Sequence, residues 1–175
     1  MTTPNPLSCM SARRRLVLAL PLSAGLAACG FQLRRAPEFS FSKIYLAMPE
    51  GSALGTELRR QLTGTGKVQV ITDAARRADA DVVLESVQDL RERVVVGLNA
   101  SGQVREFQLR VRFKFRVRTP DGKEVIPETE ILRQMDQSYS ETAALSKEAE
   151  ALMLYDNMQS DIVQQVLRRL TTVRI

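Results

Sequence analysis

The sequence of 175 residues contains no histidine and no tryptophan, and it contains only two cysteines. The absence of histidine excludes Ser-His-Asp and Cys-His catalysis, histidine-ligated metals and the commonest general base at neutral pH. Two cysteines are also too few for a site built from thiolate ligands. We therefore expect neither a metalloenzyme nor a thiol enzyme.

Acidic residues are missing from the first 28 positions, where Arg13, Arg14 and Arg15 stand together. The formal net charge of the whole chain is +5, but three of its 25 basic residues lie in this segment and none of its 20 acidic ones. The rest of the chain is therefore close to neutral, which removes the main reason to expect nucleic-acid binding. With 44% apolar and 26% charged residues, the sequence has the composition of one folded globular domain.

The N-terminal segment has the layout of a secretory signal peptide. The three arginines precede an apolar run at residues 16–22 that is too short to span a bilayer, and small residues lead from it to Leu-Ala-Ala-Cys at residues 26–29. This order resembles the lipobox of bacterial lipoproteins, in which the leader is cut before the cysteine and the cysteine is acylated. Residues 1–28 are therefore predicted to be a lipoprotein signal peptide, with Met1 and Met10 both open as its start.

Cys29 is the predicted lipid attachment site. Each buried methylene of an acyl chain contributes about 0.8 kcal/mol, so several chains would hold the protein on a membrane almost permanently. Cys9 would leave with the leader, and no thiol would remain for a disulfide. An aspartate after the cysteine of such lipoproteins usually means retention in the inner membrane, whereas Gly30 favours the outer membrane. Apart from acyl chains on Cys29 we expect no cofactor.

Apolar spacing predicts an α+β domain over residues 43–175, joined to the lipidated cysteine by a tether at residues 29–42. Ser52 is a suitable helix cap, and the helix that it begins would make the two flanking strands parallel. The whole is a mixed four- to five-stranded sheet with two helices packed on one face. Strands are predicted at residues 44–48, 68–71, 81–96, 103–119 and 123–139, and helices at 52–63 and 146–170.

The clearest pattern lies in the middle long strand, where apolar and polar side chains alternate without a break over residues 107–118. Strict period two indicates one buried face and one polar face. The polar face carries five cations, which could bind an anion or pair with glutamates of the next strand. They are Arg110, Arg112, Lys114, Arg116 and Arg118.

A three-residue turn at residues 120–122 sets the predicted pairing of this strand with the next, and the resulting charge matches favour ion pairing across the hairpin. Pro127 cannot donate to the ladder, so the register beyond it is provisional. Arg110 and Arg116 stay unpaired in this register and are predicted to contact a ligand or partner. The predicted opposite pairs are Arg118–Glu124, Lys114–Glu128, Arg112–Glu130, Arg116–Ile126 and Arg110–Leu132.

Four segments resemble the LptE family, lipoproteins of the outer-membrane lipopolysaccharide translocon. They are residues 29–34 (CGFQLR), 102–109 (GQVREFQL), 144–150 (ALSKEAE) and 166–170 (VLRRL), and they follow the family's order and spacing. The resemblance covers essentially the whole chain after residue 28. It implies a protein without catalytic activity, on the periplasmic side of the outer membrane, that plugs an LptD-like β-barrel, helps that barrel to assemble and binds lipopolysaccharide.

The resemblance also implies particular contacts. Lys147 matches a basic position at the start of the family's last helix, which is associated with lipopolysaccharide binding, and the helix macrodipole disfavours a lysine there. Glu150 offers Lys147 an ion pair as a simpler role. Family members often carry a basic residue before the turn into the central strand, where this chain has Ala100, with Arg105 close by. The predicted lipopolysaccharide or barrel contacts are Lys147, Arg105, Arg110 and Arg116.

Two other functions fit the sequence less well. A free periplasm-facing lipoprotein that carries phospholipid or lipid A between membranes needs an apolar cavity large enough for acyl chains. An envelope hydrolase needs a cleft around a pair of carboxylates, for which Asp79 and Asp81 are the candidates. The packing of the core and the surroundings of these two carboxylates discriminate between the hypotheses.

Overall fold

A mixed five-stranded sheet and two helices organise residues 37–175, the part of the chain that the computed structural model describes. The strand order is β2-β1-β3-β4-β5, in which β1 is parallel to β2 and β3, while β3, β4 and β5 are antiparallel. The predicted α+β class and mixed sheet are confirmed. The elements are β1 (Lys43–Ala47), α1 (Ala53–Gly64), β2 (Gln69–Ile71), β3 (Val82–Leu98), β4 (Val104–Arg118), β5 (Glu124–Ser138) and α2 (Ala144–Leu170).

The predicted signal peptide, Cys29 and the first part of the predicted tether lie outside the described residues. From Pro37 the chain runs without regular structure toward β1. It packs before β1 begins, because Phe41 is buried in the core and Phe39 lies beside it, with ring centroids 5.2 Å apart. Core packing thus starts ahead of the predicted domain boundary at residue 43.

Helix α1 forms where the sequence supplies both a cap and an apolar stripe. The hydroxyl of Ser52 accepts a hydrogen bond from the amide of Gly55 at 2.8 Å, which confirms the predicted cap. Leu54, Leu58 and Leu62 recur every four residues and are buried in the core. The helix thereby joins two parallel strands, β1 and β2, as the spacing predicts.

Helix α2 covers the same face of the sheet across β4 and β5, so both helices pack on one face as predicted. Its stripe meets the apolar face of β4, and each large side chain buried there contributes about 1.5–3 kcal/mol. Although α2 has 27 residues, no helix within residues 37–175 is long and apolar enough to cross a membrane. The stripe consists of Met158, Ile162, Val166 and Leu170, and the β4 face of Leu109, Val111, Phe113, Phe115 and Val117.

The opposite face of the sheet is only partly open. Tyr45, Ile71, Ala80 and Val83 form a second, small apolar cluster on it. This cluster adjoins a 3₁₀ turn, Ala74–Asp79, that connects β2 to β3. The open face expected from the sequence is therefore confined to the long part of β3 and to β4 and β5.

Asp81 ties the start of β3 to the segment that leads into β1. Its carboxylate accepts hydrogen bonds from the amides of Ser42 and Lys43, both at 2.8 Å, and from the Ser42 hydroxyl at 3.0 Å. Partial burial alone raises the pKa of Asp81, but the hydrogen bonds outweigh this effect and lower the pKa below its ordinary value. The ionised carboxylate therefore stabilises the fold.

Asp81→Asn should lower the free energy of unfolding at pH 7 by about 1–2 kcal/mol, because two amides lose a charged acceptor. A carboxyl whose pKa is lowered in the native state contributes fully above its unfolded pKa of about 4 and loses that contribution as the pH falls through the native pKa. Urea unfolding should therefore show the deficit of the variant shrinking below about pH 4. Asp121→Asn, in the exposed turn after β4, is the control and should change little; a deficit of Asp81→Asn that is independent of pH would contradict the explanation.

Candidate functional site

The open face of the long strands carries the row of cations that the alternation of β4 predicts. Because β4 lies between β3 and β5, its polar side chains emerge between those of both neighbours. Arg112, Lys114 and Arg116 keep 29%, 33% and 34% of their side-chain surface exposed. Their aliphatic stems are thus packed and their charged groups are accessible, so nearby carboxylates decide how much of the charge is free.

The predicted register of β5 is correct at Glu124 and wrong from Ile126 onward. Two irregularities between residues 115 and 118 of β4 each add one residue to β5. Pro127 has no amide hydrogen for the ladder, and its carbonyl accepts a hydrogen bond from the hydroxyl of Thr129 at 2.8 Å. Ile126 consequently lies opposite Val117 rather than Arg116. The observed opposite pairs are Arg118–Glu124, as predicted, and Lys114–Glu130, Arg112–Leu132 and Arg110–Gln134.

Glu130 partners two cations of the row. One carboxylate oxygen lies 2.8 Å from Nη1 of Arg112 and the other 3.3 Å from Nζ of Lys114. The predicted ion pair between Arg112 and Glu130 therefore exists, although the two residues are diagonal neighbours. Lys114 uses Glu130 instead of the predicted Glu128, because the added residues in β5 move Glu130 into the opposite position.

Arg116 was expected to be free, and the structure corrects this. Its Nε lies 2.6 Å from Oε2 of Glu85 on β3, and Nη2 of Arg77 lies 2.8 Å from the other oxygen of the same carboxylate. Burial alone raises the pKa of Glu85, but the two guanidinium groups outweigh it and lower the pKa below its ordinary value. The prediction considered only the β4–β5 hairpin, whereas the partner of Arg116 is a residue of β3, the strand on the other side of β4.

Arg110 and Arg118 are the two members of the row that form no ion pair within residues 37–175. Nε of Arg110 donates to the amide oxygen of Gln108 at 2.8 Å. Arg118 lies opposite Glu124 in register, but its Nε is buried without a hydrogen-bond partner. Arg110 thus forms no ion pair in the described residues, as predicted, although Glu92 of β3 lies opposite it in register.

Lys147 lies in the first turns of α2, as the sequence predicts. Its Nζ is 2.7 Å from the carboxylate of Glu150, which confirms the simpler pairing, and 3.2 Å from the hydroxyl of Ser138. Its carbonyl accepts a hydrogen bond from the buried amide of Gln137 at 2.7 Å. The N-cap residue, Ala143, makes no side-chain hydrogen bond to the helix, and the amide of Ala144 donates to the carbonyl of Glu141 in the preceding 3₁₀ turn, Glu141–Ala143.

Arg105 lies at the same end of the sheet as the start of α2. The amide of Tyr139 donates to its carbonyl at 2.8 Å, and its side chain is exposed. Together with Gln103, Ser140, Thr142 and the acidic Glu141 it lines a groove of about 120 Å³ in front of α2. The predicted contacts therefore fall into two groups, with Arg105 and Lys147 at this end and with Arg110 and Arg116 on the open face.

Arg93 is a residue of this end that the sequence analysis missed. Its guanidinium lies 2.5 Å from Glu148 of α2 and 3.8 Å from the ring centroid of Phe107, so it fastens the start of the helix to the sheet. Tyr139 packs against Phe107 on the same side, with ring centroids 5.1 Å apart. The signal in the sequence was the charged run at residues 91–93 between apolar residues of β3, which places charged side chains on both faces of the strand.

The two carboxylates considered for a hydrolase serve separate structural roles. Asp79 forms an ion pair with Arg76 at 3.1 Å, and Asp81 accepts the backbone amides before β1. Neither role brings the two together as an acid and a base. Among the residues that the structure describes, no group of three or more metal-binding side chains is close enough to hold an ion.

Comparison with known families gives one match. The model of the family described as LptE, lipopolysaccharide-assembly, matches residues 41–170. The match begins at the first buried aromatic residue, Phe41, and ends at the last residue of α2, Leu170. It therefore spans every strand and both helices described above. No curated protein sequence matches the chain.

Solved structures of lipoproteins share the fold. Lipoprotein B from Nitrosomonas europaea is 31% identical over 81% of this chain and 90% of its own, with a TM-score of 0.69. Rare lipoprotein B from Shewanella oneidensis is 28% identical over 75% and 95%, with a TM-score of 0.60. A minor lipoprotein from Acinetobacter baumannii, 17% identical over 77% and 94% with a TM-score of 0.61, supports the fold alone.

A double-mutant cycle tests the corrected register on the open face. Lys114→Met and Glu130→Gln should show a coupling free energy of about 0.3–1 kcal/mol in urea unfolding, because the structure pairs the two side chains. Lys114→Met with Glu128→Gln is the matched control, and its coupling should be close to zero. If Lys114 coupled to Glu128 and not to Glu130, the register predicted from the turn would be correct and the two irregularities of β5 would be wrong.

Proposed function

The chain belongs to the LptE lipopolysaccharide-assembly family, and from this we propose that it is an outer-membrane lipoprotein that plugs an LptD-like β-barrel, helps the barrel to assemble and binds lipopolysaccharide. The family match over residues 41–170 is the observation that carries the proposal. The protein acts by binding and by shape, without catalysis, and uses no cofactor apart from acyl chains on Cys29. The lipoproteins that share its fold support an envelope location.

The end of the sheet at the start of α2 suits the phosphates of lipopolysaccharide. Arg105 is exposed there, and Lys147 stands in the first turns of α2, near the positive end of the helix dipole. The two cations and the helix terminus together favour a bound phosphate. Glu150 partners Lys147 in the absence of a ligand, and a phosphate would compete with it for the ammonium group.

A filled core supports a plug over a lipid carrier. Leu58 of α1, Phe113 of β4 and Ile162 of α2 have no exposed surface, so helices and sheet meet without space for an acyl chain at these positions. The cations of the open face, above all Arg110, remain available to acidic side chains of a barrel wall. Both features suit a protein that keeps its own shape while it fills a lumen.

Affinity purification from outer membranes tests the plug. The chain, tagged at its C-terminus and extracted in mild detergent, should retain an LptD-like barrel in stoichiometric amount, because a plug and its barrel bury a large common surface. A second outer-membrane lipoprotein with the same tag is the control and should retain none. Recovery of the chain without any barrel protein would overturn the proposal.

Charge reversal tests the lipopolysaccharide site. Lys147→Glu combined with Arg105→Glu should weaken binding of purified lipopolysaccharide roughly ten-fold or more, since each hydrogen bond between charged groups contributes about 1.5–3 kcal/mol. Arg59→Glu combined with Lys123→Glu changes the net charge equally on other exposed surfaces and should bind as the wild type does. Thermal unfolding followed by circular dichroism checks that both variants fold.

Arg110→Glu extends this test to the open face without breaking an ion pair. Arg116→Glu is less suitable there, because it would place a second carboxylate against Glu85, whose side chain is only 16% exposed, whereas Glu150 beside Lys147 is 39% exposed. If Arg110→Glu weakened binding and the variant at the start of α2 did not, the lipopolysaccharide site would move to the open face. If both variants bound lipopolysaccharide with unchanged affinity, the site would lie on neither of these two surfaces.

A further inference from the structure

The described chain begins at one end of the domain, beside the starts of β1, β2 and β3 and the end of α2. The hydroxyl of Ser40 donates to the carbonyl of Val173 just after α2, at 2.6 Å. The amide of Gln69, at the start of β2, donates to the carbonyl of Ser42 at 2.8 Å. The amide of Asp81, just before β3, donates to the carbonyl of Lys43 at 3.0 Å. The segment that follows Cys29 in the sequence therefore joins the domain at this end.

This end carries more cations than anions, an excess left unchanged by the tip of the β4–β5 hairpin beside the start of β3, which adds two cations, Arg118 and Lys123, and two acids, Asp121 and Glu124. We call it the anchor-side surface and define it by its charged residues. Asp81 is occupied by the backbone amides before β1, and the carboxylate of Glu38 lies 3.9 Å from Nζ of Lys67. Ile175 adds an exposed apolar side chain. The surface comprises the cations Lys43, Lys67, Arg168, Arg169 and Arg174 and the acids Glu38 and Asp81.

The length of chain before the domain limits how far this surface can stand from an acyl anchor. Seven residues lie between Cys29 and Pro37, and the eight Cα–Cα steps that join the two span at most about 28 Å when fully extended. Arg34 and Arg35 lie within this stretch of sequence and add two further cations. β3 has 17 residues, so its far end is about 50 Å along the strand from the anchor-side surface.

We propose that the anchor-side surface is a second membrane contact, which binds the anionic phospholipid headgroups of the leaflet that holds the acyl chains of Cys29. The inference rests on the lipidation in the proposed function and adds to it an orientation: the basic end of the domain lies level with the headgroups of that leaflet, and the start of α2 lies at the opposite end of the domain, inside the barrel lumen that the chain is proposed to fill. A basic cluster next to a lipid anchor is attracted to an anionic surface, and salt screens this attraction over about 10 Å.

A single fluorophore reports the contact, because both cysteines of the sequence precede residue 30. Cys9 is predicted to leave with the leader and Cys29 to be acylated, so Thr172→Cys places the sole free thiol on the exposed end of the anchor-side surface. Ser101→Cys, in the turn after β3, places it at the opposite end as the control. The lipidated protein is incorporated into phosphatidylcholine vesicles that contain a headgroup spin-labelled lipid, with or without about one third phosphatidylglycerol.

Phosphatidylglycerol should increase quenching of the label at residue 172 about two-fold or more, and salt at about 1 M should abolish the increase. The label at residue 101 should not respond. Arg168→Gln combined with Arg174→Gln should remove about two fifths of the increase, since two of the five cations are lost. Arg59→Gln combined with Arg60→Gln removes the same charge from the exposed surface of α1 and should leave the increase intact.

The outcomes separate the contact from the anchor. Protein that fails to float with pure phosphatidylcholine vesicles at high salt lacks the acyl anchor, which would overturn the lipidation and this inference together. Protein that floats but shows no response of residue 172 to phosphatidylglycerol would overturn the membrane contact alone. A response that survives Arg168→Gln with Arg174→Gln, or that lipopolysaccharide produces and phosphatidylglycerol does not, would also overturn it.

Discussion

The unbroken alternation of β4 is the constraint on which the rest of the structure depends. β4 has a strand on either side and α2 on one face, so each of its residues either fills the core or joins the open face. Phe113 and Phe115 can be fully buried only because Arg112, Lys114 and Arg116 point the other way. A slip of one residue would exchange the two sets and expose the whole core face. Helix packing and the row of cations are thus two results of one pattern.

Local patterns predicted most of the fold. The cap at Ser52, the leucines of α1, the stripe of α2 and the turn before β5 each depend on residues that are close in sequence. The bulges near Pro127 could not be placed, because the pattern shows that a proline disturbs a ladder but not how many residues the strand adds. The partner of Arg116 depends on the alignment of β3 with β4, which no short-range signal determines. Cys29 and the four predicted contact residues remain predictions, since no geometry of this chain alone identifies a ligand.

The charges of the domain are distributed by role rather than evenly. Glu85 and Glu130 each partner two cations of the open face, and Asp81 serves the backbone, so these carboxylates support the fold. Charge without such a partner remains at Arg105 and Arg110 and at the end where the chain joins the domain. The net charge of a sequence therefore says little about binding until the paired groups are known. In this protein the structure, more than the composition, identifies the cations that are free to meet a partner.

The two bulges of β5 have a consequence for the protein before it meets any partner. β5 is an edge strand of 15 residues, and a flat edge of that length is a template on which another chain can add a strand and start aggregation. Pro127 offers no donor, the added residues twist the strand, and charged side chains recur along the rest of it. Natural sheets use these same devices to prevent pairing between edges. The irregularity that shifts the ion pairs thus also hinders strand pairing between copies of the chain before a partner is bound.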